Sequence, residues 1–420
     1  MKMRVLWLGH NLAYPPVRGV LQRGFNLLRE AAKACEVHVL AFDQPRTRPP
    51  GVSAQDCVDA LRGFCAHVEW VRLPDGVLGS PQWLGLRGLL SGRAYDLHWL
   101  ASPVMADRLR RALERTRFDL VHFDTLGLAP YVRLVRGPGT VLNHHNIESS
   151  MMEQRAAAER HPMRRYYWRG EAARLLRAER DYCARFSVNL VVSPEDGEAL
   201  TRHVPGVETR VVANGVDTEY FTPRADPGGG TLLFCGGLDW YPNADAMAYF
   251  FDRIWPQIAR TRPDAGVVVV GRNPPGWLTR IAESDRRVRV TGFVEDVRPY
   301  FRQAAAYICP IRTGGGTRLK VLDALAMGTP LVGTTFACSG LPVRHGTHVL
   351  LADSPEAFAE RALHLLADPD LRAALAGRGR DLVCRDYSWP VVGRNLVLAY
   401  GEAASSAQRE PDPRIRRGGA

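Results

Sequence analysis

The sequence predicts an α/β protein made of two doubly wound, Rossmann-like domains. Short runs rich in Val, Leu and Ile, most of them apolar on both faces, alternate with longer helical patterns. That alternation is the pattern of buried parallel strands joined by helical crossovers. The series restarts after Thr222–Gly230, where TPRADPGGG sets three successive glycines behind two prolines, a composition that holds neither helix nor strand. The 420 residues exceed one ordinary core and fit two domains of about 200 each. The boundary is therefore expected between Pro205 and Gly230.

In the first half the expected strands are Met3–Gly9, Glu36–Phe42, His67–Leu73, Asp119–Asp124, Thr140–His145 and Ser187–Ser193. In the second half they are Thr209–Ala213, Thr231–Gly236, Gly266–Gly271, Arg287–Gly292, Ala305–Pro310, Thr329–Gly333 and His348–Leu351. The segment Arg155–Arg185, dense in Arg with interspersed Ala, Leu, Tyr and Trp168, reads as one or two amphipathic helices. Its charged face is either solvated and packed on its own domain, or a surface for anionic lipid or a lipid-linked acceptor. Glu402–Ala420 is small, polar and Arg-rich and reads as a frayed tail.

Hydrophobic content of 46% and charged content of 24% are those of a soluble globular chain. No apolar run approaches the roughly 18 residues that a membrane span needs. The opening MKMRVLWLGH is a first strand rather than a signal peptide, so a cytoplasmic location is expected. The eight cysteines are scattered without a Cys-x-x-Cys pair and read as reduced, mostly buried thiols. The net charge of +11 is carried almost wholly by Arg; only Lys2, Lys33 and Lys320 are Lys. A bias toward Arg is the plain reading, and it makes Lys320 stand out. A basic chain favours anionic partners, yet no zinc finger, RNA-recognition signature or aromatic–basic interleaving points to nucleic acid.

The chemistry is concentrated in Cys309–Pro330, CPIRTGGGTRLKVLDALAMGTP. A strand ends near Pro310, Gly314, Gly315 and Gly316 form a loop, and a helix is expected from about Thr317 to Met327, stopped by Gly328 and Pro330. Glycines before a helix N-terminus let backbone N–H groups approach an oxyanion, and the helix dipole favours negative charge there. Arg318 and Lys320 in the first turn cost roughly 0.3–1 kcal/mol unless an anion or a protein carboxylate neutralises them. That cost argues for bound phosphate. One turn deeper, Asp323 is placed either to accept hydrogen bonds from a ribose diol or to face solvent.

Strand one runs into HNLAYPPVRGVLQRGFNLL, where prolines and Gly19 make a loop and a helix starts near Val20. A G-x-G-x-x-G fingerprint is absent. His144 and His145 end a strand, where ligands gather in open α/β sheets. Asp124 also ends a strand, placed to contact an acceptor or to cap a helix. No Asp-x-Asp motif or His/Asp cluster is visible, so no metal ion is expected.

Five segments taken in order carry a resemblance: Asn214-Gly215-Val216-Asp217; CGGLDWYPNADAMAYF from Cys235; VVVVGRNPP from Val267; Thr291-Gly292-Phe293-Val294-Glu295-Asp296; and GGGTRLKVLDALAMGTPLV. Each is weak alone, but their order and spacing resemble glycosyltransferase family 4, the large retaining family with the GT-B fold, over most of the chain. The branch it looks most like carries GGGTRLK and a His-Asn-x-Glu sequence, matched by His145-Asn146-Ile147-Glu148.

The resemblance implies an acceptor-side domain over 1–205 and a nucleotide-sugar domain over 206–385, facing across a cleft that closes on the donor. A helix over 386–403 would cross back to the first domain, ahead of a flexible tail over 404–420. It implies that Gly236 and Gly237 approach the donor diphosphate and that Gly292, Phe293 and Val294 meet the base. Asp323 matches the family's ribose-binding Glu, and Arg318 and Lys320, assisted by Arg312, would neutralise the diphosphate as the bond breaks. His145 matches the active-site His that contacts the transferred sugar, and Glu148 would orient it or cap the next helix. Gly19 lies in the loop against donor and acceptor; Arg23 and His144 fall on the acceptor side.

The chain departs from the family at Gly315, where many members carry a sugar-binding Glu, and at Val20, which replaces a glycine. Gly237–Asn243 lacks the usual Arg and Lys. The implied function is retaining transfer from a UDP- or GDP-sugar to a carbohydrate, lipid-linked or small-molecule acceptor, with no cofactor or metal; peripheral contact with anionic membrane stays one of the two readings of the Arg-rich segment. A catalytically silent nucleotide-sugar-binding protein and a nucleotide-sugar epimerase are the competing readings. The missing dinucleotide fingerprint argues against an NAD-dependent oxidoreductase.

Overall fold

The protein is described by a computed structural model covering residues 2–17, 19–45, 48–49, 51–73, 88, 91–223, 229–314 and 319–409. It divides into two compact units, Met1–Ala213 with Val392–Ala420, and Asn214–Val391.

The first unit is built on a seven-stranded parallel sheet: β1 Arg4–Gly9, β2 Glu36–Asp43, β3 His67–Arg72, β4 Leu120–Phe123, β5 Gly139–Asn143, β6 Val188–Val191 and β7 Thr209–Val211, in the order 3-2-1-4-5-6-7. The second unit holds six parallel strands: β8 Thr231–Cys235, β9 Gly266–Val270, β10 Val288–Gly292, β11 Ala306–Cys309, β12 Leu331–Gly333 and β13 Leu350–Leu351, in the order 10-9-8-11-12-13. Both orders run outward from the first strand of the unit and then reverse, the doubly wound arrangement the sequence predicts. The central strands β4, β5, β6 and β11 are buried along their whole length, which is why they read as continuous apolar runs rather than as alternating ones. One strand falls elsewhere than expected. Thr209–Val211 pairs with β6 as the last strand of the first sheet rather than opening the second half.

Helices begin where the sequence supplies a cap followed by proline. Ser102-Pro103, Ser193-Pro194, Ser354-Pro355 and Asp368-Pro369 each place a side-chain oxygen on an otherwise unpaired backbone N–H and a proline in the first helical turn. The Arg-rich region forms two helices, Glu148–Ala158 and Pro162–Tyr182, as expected.

The last helix, Trp389–Arg409, starts in the second unit and continues in the first. Its beginning packs on the second unit, where a Cβ at Gly215 would lie 2.5 Å from the Trp389 ring. Its later turns lie against the first sheet, so close that a Cβ at Gly139, the first residue of β5, would press into the backbone of Ala403 and Ala404. Gly139→Ala is therefore expected to destabilise the chain by about 1–3 kcal/mol through overpacking. Gly377→Ala, in a helix with open space around that position, should hold or raise stability. Thermal denaturation of the two variants beside the parent checks the contrast.

Candidate active site

In an open parallel sheet, ligands gather beyond the C-terminal strand ends at the place where strand order reverses. These places are the β1/β4 junction in the first unit and the β8/β11 junction in the second.

At the β8/β11 junction, β8 ends in Cys235 and runs into Gly236 and Gly237. A Cβ at Gly236 would lie 2.5 Å from Lys320 Nζ and 2.9 Å from Asn243 Nδ2, so a side chain there would displace that lysine from its place. Asn243 is buried and spans the gap: its Oδ1 accepts from Lys320 Nζ at 2.5 Å, and its Nδ2 donates to the Gly237 carbonyl at 2.7 Å. Lys320 Nζ also lies 4.6 Å from the centre of the Phe234 ring, a favourable place for a cation. Lys320 is the second residue of the helix Leu319–Ala326, and Asp323 follows one turn later.

Asp323 keeps some exposed surface as a residue, but its Oδ1 is occluded and has no hydrogen-bond partner among the described residues. Burial pushes its carboxyl up to about 7, with Lys320 working the other way. An occluded acceptor without a donor is costly unless something supplies one. Thr313 Oγ1 is similarly occluded and unpaired. The adjoining strand ends are also glycine. Gly271 follows β9 so near the Gly236 carbonyl that a side chain there would collide, and its N–H donates to the Gly292 carbonyl at 3.0 Å. Gly292 has φ +75 and Gly314 φ +115, both left-handed conformations that favour glycine. Phe293 is exposed and Val294 half-buried.

At the β1/β4 junction, His10 follows β1, Asp124 follows β4, and His144 and His145 follow β5. Asp124 is buried; its Oδ2 accepts from His10 Nδ1 at 3.0 Å and its Oδ1 from Asn143 Nδ2 at 3.0 Å. His145 Nε2 donates to the Asp124 backbone carbonyl at 2.9 Å, leaving Nδ1 without a partner among the described residues. Burial opposes the charge of Asp124, but His145 and the imidazole hydrogen bonds around it prevail and hold the carboxyl well below the usual range. Burial lowers the His145 imidazole, so it is neutral near pH 7.

Several expected site residues take other roles. Arg23 does not face an acceptor: it is buried and donates to Asn143 Oδ1 at 3.0 Å, Val212 O at 2.7 Å and Ala213 O at 2.8 Å. Burial lowers it to about 10, which leaves it charged. It orders Asn143, and through it Asp124. His144 turns inward, donating from Nε2 to Asn189 Oδ1 at 3.1 Å, because successive residues at a strand end point to opposite faces. Glu148 does not cap the helix, since it is that helix's first residue, and its Oε1 accepts from Thr125 Oγ1 at 3.1 Å. Burial, with Asp96 and Glu179 nearby, raises its carboxyl well above the usual range.

Arg312 is spent on Asp245 at 3.0 Å and stacks on Tyr249. Gly19 is the first residue of the helix Gly19–Ala34 rather than part of the loop before it. Gly315, Gly316, Thr317 and Arg318 lie outside the described residues. Sequence reasoning missed His10, Asn143, Asn243 and Gly271. Gly271, closing a run of four valines, carried a signal; Asn243 carried none, because its partner Lys320 is 77 residues away. The His/Asp cluster absent from the linear sequence is assembled from three strand ends.

These arrangements coincide with a known family. The profile described as Glycosyltransferase Family 4 matches residues 17–220, and the one described as Glycosyl transferases group 1 matches residues 229–368. A GDP-mannose-dependent monoacylated alpha-(1-6)-phosphatidylinositol monomannoside mannosyltransferase of Corynebacterium glutamicum is 25% identical over 51% of this chain; the match spans 60% of that relative's length. Sucrose-phosphate synthase from Thermosynechococcus elongatus superimposes with a TM-score of 0.70 at 18% identity, covering 96% of this chain and 100% of that one. The Anabaena protein HepE, in complex with UDP and glucose, gives 0.66 at 14% identity over 95% and 99%. The fold is that of the GT-B glycosyltransferases, and the chain belongs to glycosyltransferase family 4.

Proposed function

We propose that the protein is a retaining glycosyltransferase that moves a sugar from a nucleoside diphosphate to an acceptor hydroxyl without a metal ion. The observation that carries this reading is the arrangement in the second unit: Lys320, anchored through Asn243 above Gly236, with the occluded, unpaired carboxyl oxygen of Asp323 one turn along the same helix. A diphosphate fits the glycine-lined strand ends, where backbone approaches closely and Lys320 supplies charge. A ribose diol supplies the donors that Asp323 lacks. As the C1–O bond breaks, negative charge grows on the β-phosphate, and a fixed ammonium stabilises it more in the transition state than in the bound donor. The leaving phosphate then accepts the acceptor's proton, so the new bond forms on the face just vacated and configuration is retained. His145, neutral and hydrogen-bonded to Asp124 O, presents its remaining nitrogen to the sugar.

The Corynebacterium relative is named for GDP-mannose and a lipid acceptor, and HepE for UDP with glucose. A GDP- or UDP-hexose donor and a lipid-linked or carbohydrate acceptor therefore support each other here. No helix among the described residues is long and apolar enough to cross a membrane. From the lipid acceptor for which the Corynebacterium relative is named, we infer a cytoplasmic protein with peripheral membrane attachment. The Arg-rich pair of helices offers the surface, though not through Trp168, which is half-buried with the Arg155 guanidinium 3.5 Å above its ring. The exposed apolar groups are Met163 and Tyr166, among exposed Arg160, Arg164, Arg165 and Arg169.

Lys320→Ala is expected to lower turnover about 100–1000-fold, as loss of one oxyanion donor does, with a smaller effect on nucleotide affinity. Activity should survive EDTA. Single-turnover assays with UDP- and GDP-sugars check both, and near-normal turnover of the variant or reversible loss in EDTA sinks the account.

Asp323→Ala should weaken nucleoside diphosphate binding, while Asp323→Glu keeps it. The raised carboxyl also has a stability signature. Its neutral form is favoured in the folded chain, so the stability it contributes is present below about pH 4 and is lost as pH rises toward about 7. The melting temperature of Asp323→Asn relative to the parent should climb between pH 5 and 7 and level off above; a flat difference removes the assignment.

Co-sedimentation with vesicles containing acidic lipid should fall with salt, because attraction between surface charges is screened within about 10 Å at 0.1 M. The double variant Met163→Ser, Tyr166→Ser should bind less. Binding to neutral vesicles alone, or no binding at low salt, counts against membrane attachment.

A further inference from the structure

We propose that His10, Asp124 and His145 form a binding site for a divalent transition-metal ion of the zinc type. His10 Nδ1, a carboxylate oxygen of Asp124 and His145 Nε2 lie within 4.8 Å of one another. The two nitrogens are 3.0 Å and 3.4 Å from the carboxylate oxygens. Ligands about 2.0–2.2 Å from a tetrahedral zinc ion stand roughly 3.4 Å apart, so each nitrogen is already near ligand spacing from the carboxylate, and side-chain rotation closes the set on the ion.

The ligand chemistry fits as well. Asp124 already acts as an acceptor through both carboxyl oxygens, from His10 Nδ1 and from Asn143 Nδ2. His10 only moves its proton to its other ring nitrogen; His145 does so and gives up its bond to the Asp124 carbonyl for one to the ion. Two imidazoles and one carboxylate select a zinc- or cobalt-type ion over magnesium or calcium, which take oxygen ligands. Both histidines keep some exposure, 15% and 11% of their side chains, so the ion has a way in.

A second observation points to the same place. His122 is fully buried, and its Nε2 has no hydrogen-bond partner although it lies 3.9 Å from Asp124 Oδ1. Its other nitrogen meets the Tyr400 hydroxyl at 2.9 Å. Three imidazoles thus converge on one carboxylate, and one of them, His122, brings a nitrogen that hydrogen bonding leaves unserved. Asn143 holds the carboxylate from behind, as outer partners of metal ligands do. The charged group opposing the ion is Arg23, which reaches the site through Asn143.

An ion on His145 Nε2 also turns Nδ1 from a hydrogen-bond acceptor into a donor toward substrate. That consequence rests on the proposed glycosyl transfer; binding of the ion does not, and it is measured without substrate. Titration of the metal-stripped full chain with Co²⁺, followed by visible absorption and calorimetry, is expected to reveal one strong site with tetrahedral-type bands. His10→Ala, and separately Asp124→Asn, should weaken it by more than about tenfold, the least that losing even an outer partner costs. His364→Ala, which removes the exposed pair with Asp368, should leave it intact. Zn²⁺ should displace the cobalt. Because Asp124→Asn is buried and can disturb folding, His10→Ala with a native circular dichroism spectrum carries the test. No one-to-one binding by the parent, or undiminished binding by folded His10→Ala, overturns the site.

Discussion

Parallel pairing is the constraint on which the rest of this structure depends. When all strands of a sheet run one way, their C-terminal ends share one edge, and every chain reversal happens there or at the opposite edge. The apolar middles of β1, β4, β8 and β11 fill the two cores, while polar residues and glycines are left to the ends. His10, Asp124, Asn143 and His145 are neighbours because β1, β4 and β5 are neighbours; Gly236, Gly271 and Gly292 are neighbours for the same reason.

The two units use that edge in opposite ways. In the first, a buried charge is provided for: Asp124 accepts from His10 and Asn143, Asn143 is ordered by Arg23, and the Arg23 guanidinium donates to Val212 and Ala213 at the end of the sheet. Low dielectric makes such a network rigid once its members are paired. In the second, Asp323 and Thr313 keep acceptor or donor capacity that the described residues do not meet. The first arrangement holds the His145 imidazole in one orientation; the second leaves polar atoms open at the strand ends.

Much of the fold was legible because buried parallel strands write themselves as short apolar runs. All thirteen strands fall within their expected segments to within a residue or two, and the helices start at Ser-Pro and Asp-Pro steps that any reading of caps detects. Sheet membership was less legible: nothing local to Thr209–Val211 says whether it ends one sheet or begins the next. The second-unit site was partly visible, since Lys320 and Asp323 share a helix and Gly236 ends an apolar run. Orientation was not. His144 and His145 differ by one residue and by a whole face of the sheet, and only one of them reaches the edge. Arg23, expected on the acceptor side, is almost completely buried, and its acceptors include backbone carbonyls nearly two hundred residues further on.

The path of the last helix bears on the order in which the protein can be made. Tyr400, whose hydroxyl meets His122 beneath Asp124, and Ala403, which lies against the first residue of β5, both belong to the first unit although they follow the whole second unit in the chain. A ribosome therefore releases the first sheet long before it releases the helix that covers it. Until residues near 400 emerge, the Trp7–His122 stack and the start of β5 lack their final neighbours. The first unit, translated earliest, is the last to have its whole sequence available.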